Sequence, residues 1–347
     1  MKRLLVLAGC ILVFASVSNA QEVEEFTLPQ HDPLLGHRLI QGVATPNRLW
    51  LRGNGAVVMI ERATGERLVL AESGVTELLR TEGRTVAITS LEGTPGRIAV
   101  IDINTSAALT PPVEATPLAL IRAGGDWVIL TEDEVLHGDV DGWRRRPMEG
   151  PDHSFGVIST ASTADGTIYV GFNRGEWGGG LARLVPGSNR LEVIERRDGD
   201  DLCDGPLNSD CDPVTGVIRD PDHPRCVLAS IGLSHFLSRG RILQVCGLQV
   251  EEVFSQVVEQ PPEEIGAGLN TWPFFGLAPS PGGWTAVSAG RLFVSSNKRV
   301  ESSPLPEADE RWGLGMIEMD GLIIVRTDVN WGMSVSGYTP MLIPVTD

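Results

Sequence analysis

Six aspartates crowd into one short stretch, Asp198, Asp200, Asp201, Asp204, Asp210 and Asp212, with Cys203 and Cys211 among them. Carboxylates at that density could offer Ca²⁺ the hard oxygen ligands it takes, with Asp198, Asp200, Asp201 and Asp204 as the candidate metal site. Their spacing is not that of an EF-hand, so a solvated acidic loop competes with the metal reading, and no other cofactor is called for. A second run carries a different chemistry: Asn173, Arg174, Glu176 and Trp177, followed by Gly178, Gly179 and Gly180. Arg174 and Glu176 could hold a polar ligand while Trp177 forms an aromatic wall. The plainer reading is a bulged turn whose glycines tolerate positive φ, with Arg174 and Glu176 paired on the surface. His153 and His235 are proton carriers by type, although solvated loop histidines are commoner than catalytic ones.

Four cysteines, Cys203, Cys211, Cys226 and Cys246, remain once the first twenty residues are set aside. An even count fits two disulfides in an exported chain. If residues 225–231 and 241–246 form a hairpin with Ile231 opposite Arg241, Cys226 falls opposite Cys246, near the distance a disulfide spans. That leaves Cys203 with Cys211, closing the acidic loop. Zinc is disfavoured, since there is neither a CxxC spacing nor a nearby pair of histidines.

The elements that must carry these residues are β-strands. Short apolar runs follow turns at 48–51, 84–90, 126–131, 167–172, 225–231, 284–289 and 322–327. A repeating unit of roughly forty to sixty residues reads as one four-stranded sheet, which cannot bury both faces alone and so stacks radially on its neighbours. The expected fold is therefore all-β, a seven-bladed β-propeller. Residues 22–28 are expected to close it by completing the last blade, whose own strands stop at the third. In such a ring the hairpins between second and third strands share a face with the connections between blades. That face would gather Asn173, Arg174, Glu176 and Trp177 with His235, Asn330 and Trp331, and with His153, Trp272, Arg311 and Trp312 from the connections. A mouth lined by these side chains suits a polar ligand with stackable faces, such as a glycan or a peptide.

In architecture, across residues 21–347, the chain resembles bacterial exported β-propellers of the NHL, YVTN and streptogramin-lyase kind. The Gly-His and Trp-Asp signatures of WD repeats are absent, as is the tryptophan docking pattern of quinoprotein propellers. Residues 173–180 and 211–218 are distinctive enough to mark a subfamily. The streptogramin-lyase resemblance would allow a lyase or hydrolase in which His235 or His153 moves a proton and Glu176 with a divalent metal stabilises an anion. Common hydrolase and dinucleotide-binding motifs are missing from the sequence.

Residues 1–20 read as an export signal: Lys2 and Arg3, an apolar run, then Ser18, Asn19 and Ala20 before Gln21. Residues 21–347 then form one propeller domain. The run ending in Cys10 also looks like a lipobox, which would anchor the chain through a lipid on Cys10. A periplasmic or secreted location follows from the cleaved signal, with lipid anchoring through Cys10 as the alternative. The net charge is −17, and −19 without Lys2 and Arg3, which argues against nucleic acid and anionic membrane surfaces as partners. No later stretch is apolar for long enough to span a bilayer. The expected function is non-catalytic binding of a polar ligand or protein partner through one loop face. A structural scaffold in an envelope complex is a further alternative, one that a broad exposed apolar patch would mark.

Overall fold

The computed structural model describes residues 24–25, 39–91, 96–150, 157–199, 203–235, 237–258, 271–280, 282–288, 291–304, 314–318, 321–327 and 338–343. Nearly all of it is antiparallel sheet in which each strand pairs with the next in sequence. We call the sheets blades and their strands a to d in chain order. Blade one is Leu39–Ala44, Arg48–Gly53, Ala56–Glu61 and Arg67–Ala71. Blade two begins Val75–Thr81, Arg84–Ser90 and Arg97–Asp102, and blade three is Ala119–Ala123, Asp126–Leu130, Glu134–Gly138 and Trp143–Pro147. Blade six is Phe275–Ser280, Gly283–Ser288, Arg291–Ser296 and Arg299–Pro304. Blade four is Val157–Ser162, Ile168–Asn173, Leu181–Leu184 and Glu192–Ile194, and blade five is Val214–Arg219, Val227–His235, Leu237–Cys246 and Gln249–Phe254. Adjacent blades touch through their a strands.

Local turn chemistry produces the tight hairpins. Asn54-Gly55, Glu82-Gly83, Gly124-Gly125 and Asn297-Lys298 are two-residue loops with positive φ at both positions. This backbone matches the right-handed twist of the flanking strands. Glycine or asparagine accounts for most of it, while Glu82 and Lys298 bear some strain.

Packing explains why the b strands read as unbroken apolar runs. Along blade four, Ile168, Val170 and Phe172 turn toward blade three, where they meet Ala119, Ile121, Val128 and Leu130. Tyr169 turns the other way and joins Val227, Ala229 and Leu243 of blade five. Both faces of the sheet are thus core, and strict alternation of polar and apolar residues disappears. The same happens between blades one and two around Trp50, Val57, Val75 and Ala87, and between blades five and six around Leu228, Ile242, Phe274 and Phe293. Each fully buried side chain of this size contributes about 1.5–3 kcal/mol.

One polar strap joins the a strands of blades one and two. Gln41 Nε2 donates to the Leu78 carbonyl at 2.6 Å and to Glu77 Oε1 at 3.1 Å, while Gln41 Oε1 accepts from the Leu78 N–H at 2.8 Å and from Arg52 Nε at 3.0 Å. Every donor and acceptor of that amide is used.

The expectation of seven blades locked by residues 22–28 needs correction. Six blades have described side-chain packing. A remaining sheet, Leu314–Glu318, Gly321–Thr327 and Tyr338–Ile343, is described only in its backbone pairing, with its first strand beside those of blades six and one. From the N-terminal segment only Glu24–Glu25 pairs there, Glu24 opposite Leu342 and Glu25 opposite Met341. Two acidic residues are not the full outer strand that was expected, because so short a ladder forms few hydrogen bonds and lacks the alternating apolar face a strand buries. Blade two shows a smaller departure. Its outer strand is split into Ala107–Ala108 and Val113–Glu114. Pro111 and Pro112, which have no N–H to give the ladder, lie between the pieces.

Candidate functional site

The b–c hairpin of blade four, the connection from blade four to blade five and the long b–c hairpin of blade five fold into one assembly. Its first part is a single helical turn, Gly175–Trp177. Asn173 Oδ1 accepts the Gly175 N–H at 2.9 Å, and the Arg174 N–H reaches the Gly178 carbonyl at 2.9 Å, closing the turn. Arg174, Glu176 and Trp177 are left on the outside, and Trp177 is 72% exposed.

The glycines after Trp177 are needed for contact rather than for freedom alone. The N–H of Gly179 donates to the Ser209 carbonyl at 2.8 Å, and that of Gly180 to the Asp212 carbonyl at 2.8 Å. A Cβ on Gly178 would strike the backbone of Ser209 and Asp210, and one on Gly179 would strike the Phe172 carbonyl. Gly178 and Gly179 also have φ of 73° and 143°. The turn bearing Trp177 is therefore seated directly on the acidic loop.

That loop is held from inside. Cys203–Cys211 staples it, and Cys226–Cys246 ties the two central strands of blade five, as the sequence predicts. The hairpin register also agrees, with Ile231 opposite Arg241. Arg239 and Arg241, two apart on one face of strand c, reach back into the loop. Arg239 Nη2 donates to the Cys203 carbonyl at 2.7 Å and Arg241 Nε to the Pro206 carbonyl at 2.6 Å. Arg241 Nη2 meets Asp212 Oδ2 at 2.5 Å, where Asp212 also accepts the Asn208 N–H at 2.8 Å. Burial pushes the Asp212 carboxyl up and the Arg241 guanidinium down from their ordinary values, and each charge opposes the shift in the other.

On the outer side of the loop Arg197 bridges Glu195 at 3.1 Å and Asp210 at 3.0 Å. Burial works to raise the Glu195 carboxyl, but hydrogen bonds from Ser209 and Arg197 outweigh it and hold the group below its ordinary value. Ser209, whose carbonyl seats the Trp177 turn, is one of these partners.

The remaining candidates fare unevenly. His235 ends strand b of blade five, opposite Leu237 at the hairpin tip, which puts its backbone on the same face as the Trp177 turn; its side chain is outside the described residues. Trp272 is half-buried and faces Phe293 at 6.1 Å with the Arg291 guanidinium 5.8 Å from its ring, so it belongs to the packing of blade six. Arg311, Trp312, Asn330, Trp331 and His153 lie outside the described residues, as do Asp200 and Asp201. Of the other two candidate metal ligands, Asp198 pairs with Arg196 at 3.4 Å and Asp204 is half-buried. Among the described residues, no three acids, histidines or cysteines converge on one point. A cleft of about 770 Å³ lies away from this face, lined by residues of blade four's outer strands and by Glu149 and Gly150. The Asp212–Arg241 pair was not foreseen, although two arginines at alternate positions of a strand, beside an aspartate adjoining a cysteine, were a readable signal.

Among the described residues, no helix is long and apolar enough to cross a membrane. No family model and no curated protein sequence matches the chain. Solved structures do resemble it. One is the extracellular domain of a hybrid two-component system from B. thetaiotaomicron, with 12% identity and a TM-score of 0.58, covering 94% of this chain and 40% of that one. Another is a chain of the mitotic checkpoint complex, with 12% identity and a TM-score of 0.60, covering 100% of this chain and 99% of that one. The chain thus spans about 40% of the length of that extracellular domain. Such likeness shows the fold alone: the protein is of β-propeller type, and its disulfides fit an exported chain.

Proposed function

We propose that the chain is an exported, non-catalytic binding protein that takes a polar ligand, a glycan or a peptide, over the face built by blades four and five. The observation that carries this reading is Trp177, 72% exposed at the tip of a turn that glycine contacts and a disulfide-stapled loop hold in place. A large indole kept in water on a rigid mount gives contact area at little entropic cost when something stacks on it. Arg174 and Glu176 beside it supply charge for polar recognition. The finer kinship to NHL, YVTN and streptogramin-lyase propellers is part of the same proposal, supported by the consecutive a-to-d blades and the absence of WD signatures.

Glycan and peptide arrays probed with the labelled full chain test it. Binding that falls tenfold or more in Trp177→Ala, with an unchanged melting temperature, supports the reading. Equal binding by wild type and Trp177→Ala, or no binding across both arrays, overturns it.

A further inference from the structure

The outer strands of a propeller are exposed edges, and most edges here carry a device that discourages pairing. Blade three's outer strand, Trp143–Pro147, holds Arg144, Arg145, Arg146 and Pro147. Blade five's, Gln249–Phe254, holds Glu251 and Glu252, and blade six's, Arg299–Pro304, holds Arg299, Glu301 and Pro304. Those of blades two and four are no longer than three residues. Charges, prolines and short length all discourage a strand from accepting another.

Blade one is different. Its outer strand, Arg67–Ala71, runs for five residues with no charge or proline after Arg67. Leu68 is 53% exposed and Val69 45% exposed, two of the larger apolar side chains left in water. Among the described residues, no strand lies along its outer edge. A register shift at Leu70 twists the strand without placing a charge on it.

The flanks of this strand indicate what covers it. Arg67 stands at one end and Glu72 follows the other, so the segment from 67 to 72 is complementary to itself when reversed. We propose that the edge pairs with the same edge of a second copy of the chain, antiparallel about a two-fold axis between Val69 and Leu70. In that register Arg67 of each copy faces Glu72 of the other, Leu68 faces Ala71, and Val69 faces Leu70. The symmetry is isologous, so both ion pairs form at once and the assembly stops at two. Opposite charges directly across a ladder favour the register, and like charges there oppose it.

Sedimentation velocity on the full chain, from about 1 to 200 µM, tests the pairing. A reversible dimer is expected in wild type, and a monomer throughout for Val69→Lys, with Leu68→Lys as the substitute should that variant fail to fold. Arg67→Glu and Glu72→Arg each weaken the dimer about tenfold or more, because each sets like charges opposite one another at both ends. An equimolar mixture of R67E and E72R then forms a heterodimer tighter than either homodimer, since both pairs are restored. Trp177→Ala dimerises as wild type does, which separates this result from the ligand-binding reading. A wild type that stays monomeric at about 200 µM, a Val69→Lys chain that still dimerises, or a mixture no tighter than its components overturns the proposal.

Discussion

Arg241 and Asp212 meet at 2.5 Å with only 6% and 0% of their side chains exposed, and they join blade five's third strand to the loop on which Trp177's turn is seated. Two charges taken from water cost several kcal/mol each, and the pair is sound only because the hydrogen bonds to Pro206 and Asn208 use more of their capacity.

Removing one partner strands the other. Arg241→Met is expected to destabilise the fold by about 3–5 kcal/mol, and Arg241→Met with Asp212→Leu by less than Arg241→Met alone. Urea melts of the two variants measure it; a double variant weaker than the single would show that the loop needs these residues for something other than mutual charge.

Gly179→Ala should be costly despite its small size. The added methyl meets the Phe172 carbonyl at a φ of 143°, so the turn must lift off Ser209. A loss of about 2–4 kcal/mol is expected from strain and broken hydrogen bonds, read as a lowered urea midpoint. Gly187→Ala, where no atom lies near the new Cβ, serves as the comparison, since its φ of 78° leaves conformational strain as the main cost.

Glu77 gives the fold a pH dependence. Part of it is reachable by solvent, yet the surrounding protein withholds enough hydration to push its carboxyl up to about 7, against the opposing pull of the Arg52 charge and the Gln41 hydrogen bond. A carboxyl raised above its unfolded value favours the folded state while protonated. Its contribution is fully present below the ordinary carboxylate range and is lost as pH rises through about 7. Glu77→Gln is therefore expected to melt higher than wild type at pH 8, by on the order of 2–3 kcal/mol in stability, and alike at pH 4. Melts that run parallel across that range would exclude Glu77 as the titrating group.

The two disulfides act on different parts. Cys203→Ser opens the staple of the acidic loop, whose cysteines stand eight positions apart in sequence, and should cost about 2.5 kcal/mol. Cys226→Ser cuts the cross-strand tie in blade five and should cost about 3 kcal/mol. Hydrogen exchange tells them apart: protection at Gly179 and Gly180 should fall in Cys203→Ser and hold in Cys226→Ser.

Much of the sheet order was legible because turn residues mark it. The apolar runs at 84–90 and 126–131 are the second strands of their blades, and the facing of Cys226 and Cys246 followed from one assumed register. The extent of the N-terminal pairing was not legible, since the alternation of residues 22–28 carries no information on how many residues have a neighbour to bond. Nor was the place of Trp272. A tryptophan in a connection between blades looks the same in sequence whether it turns to Phe293 or to a ligand. For Trp177 the glycines were read as licence for a bent backbone, while their contacts with Ser209 and Asp210 depend on residues some thirty positions away.

The two-way facing of Tyr169 and Val170 bears on how the molecule comes apart. Blades two to five each lend one wall to the neighbour on either side, so stripping one of them uncovers apolar surface on two others. No unit can therefore melt quietly in place. Damage in one sector is felt in the sectors beside it, and heat or denaturant should meet one broad resistance instead of a sequence of small ones.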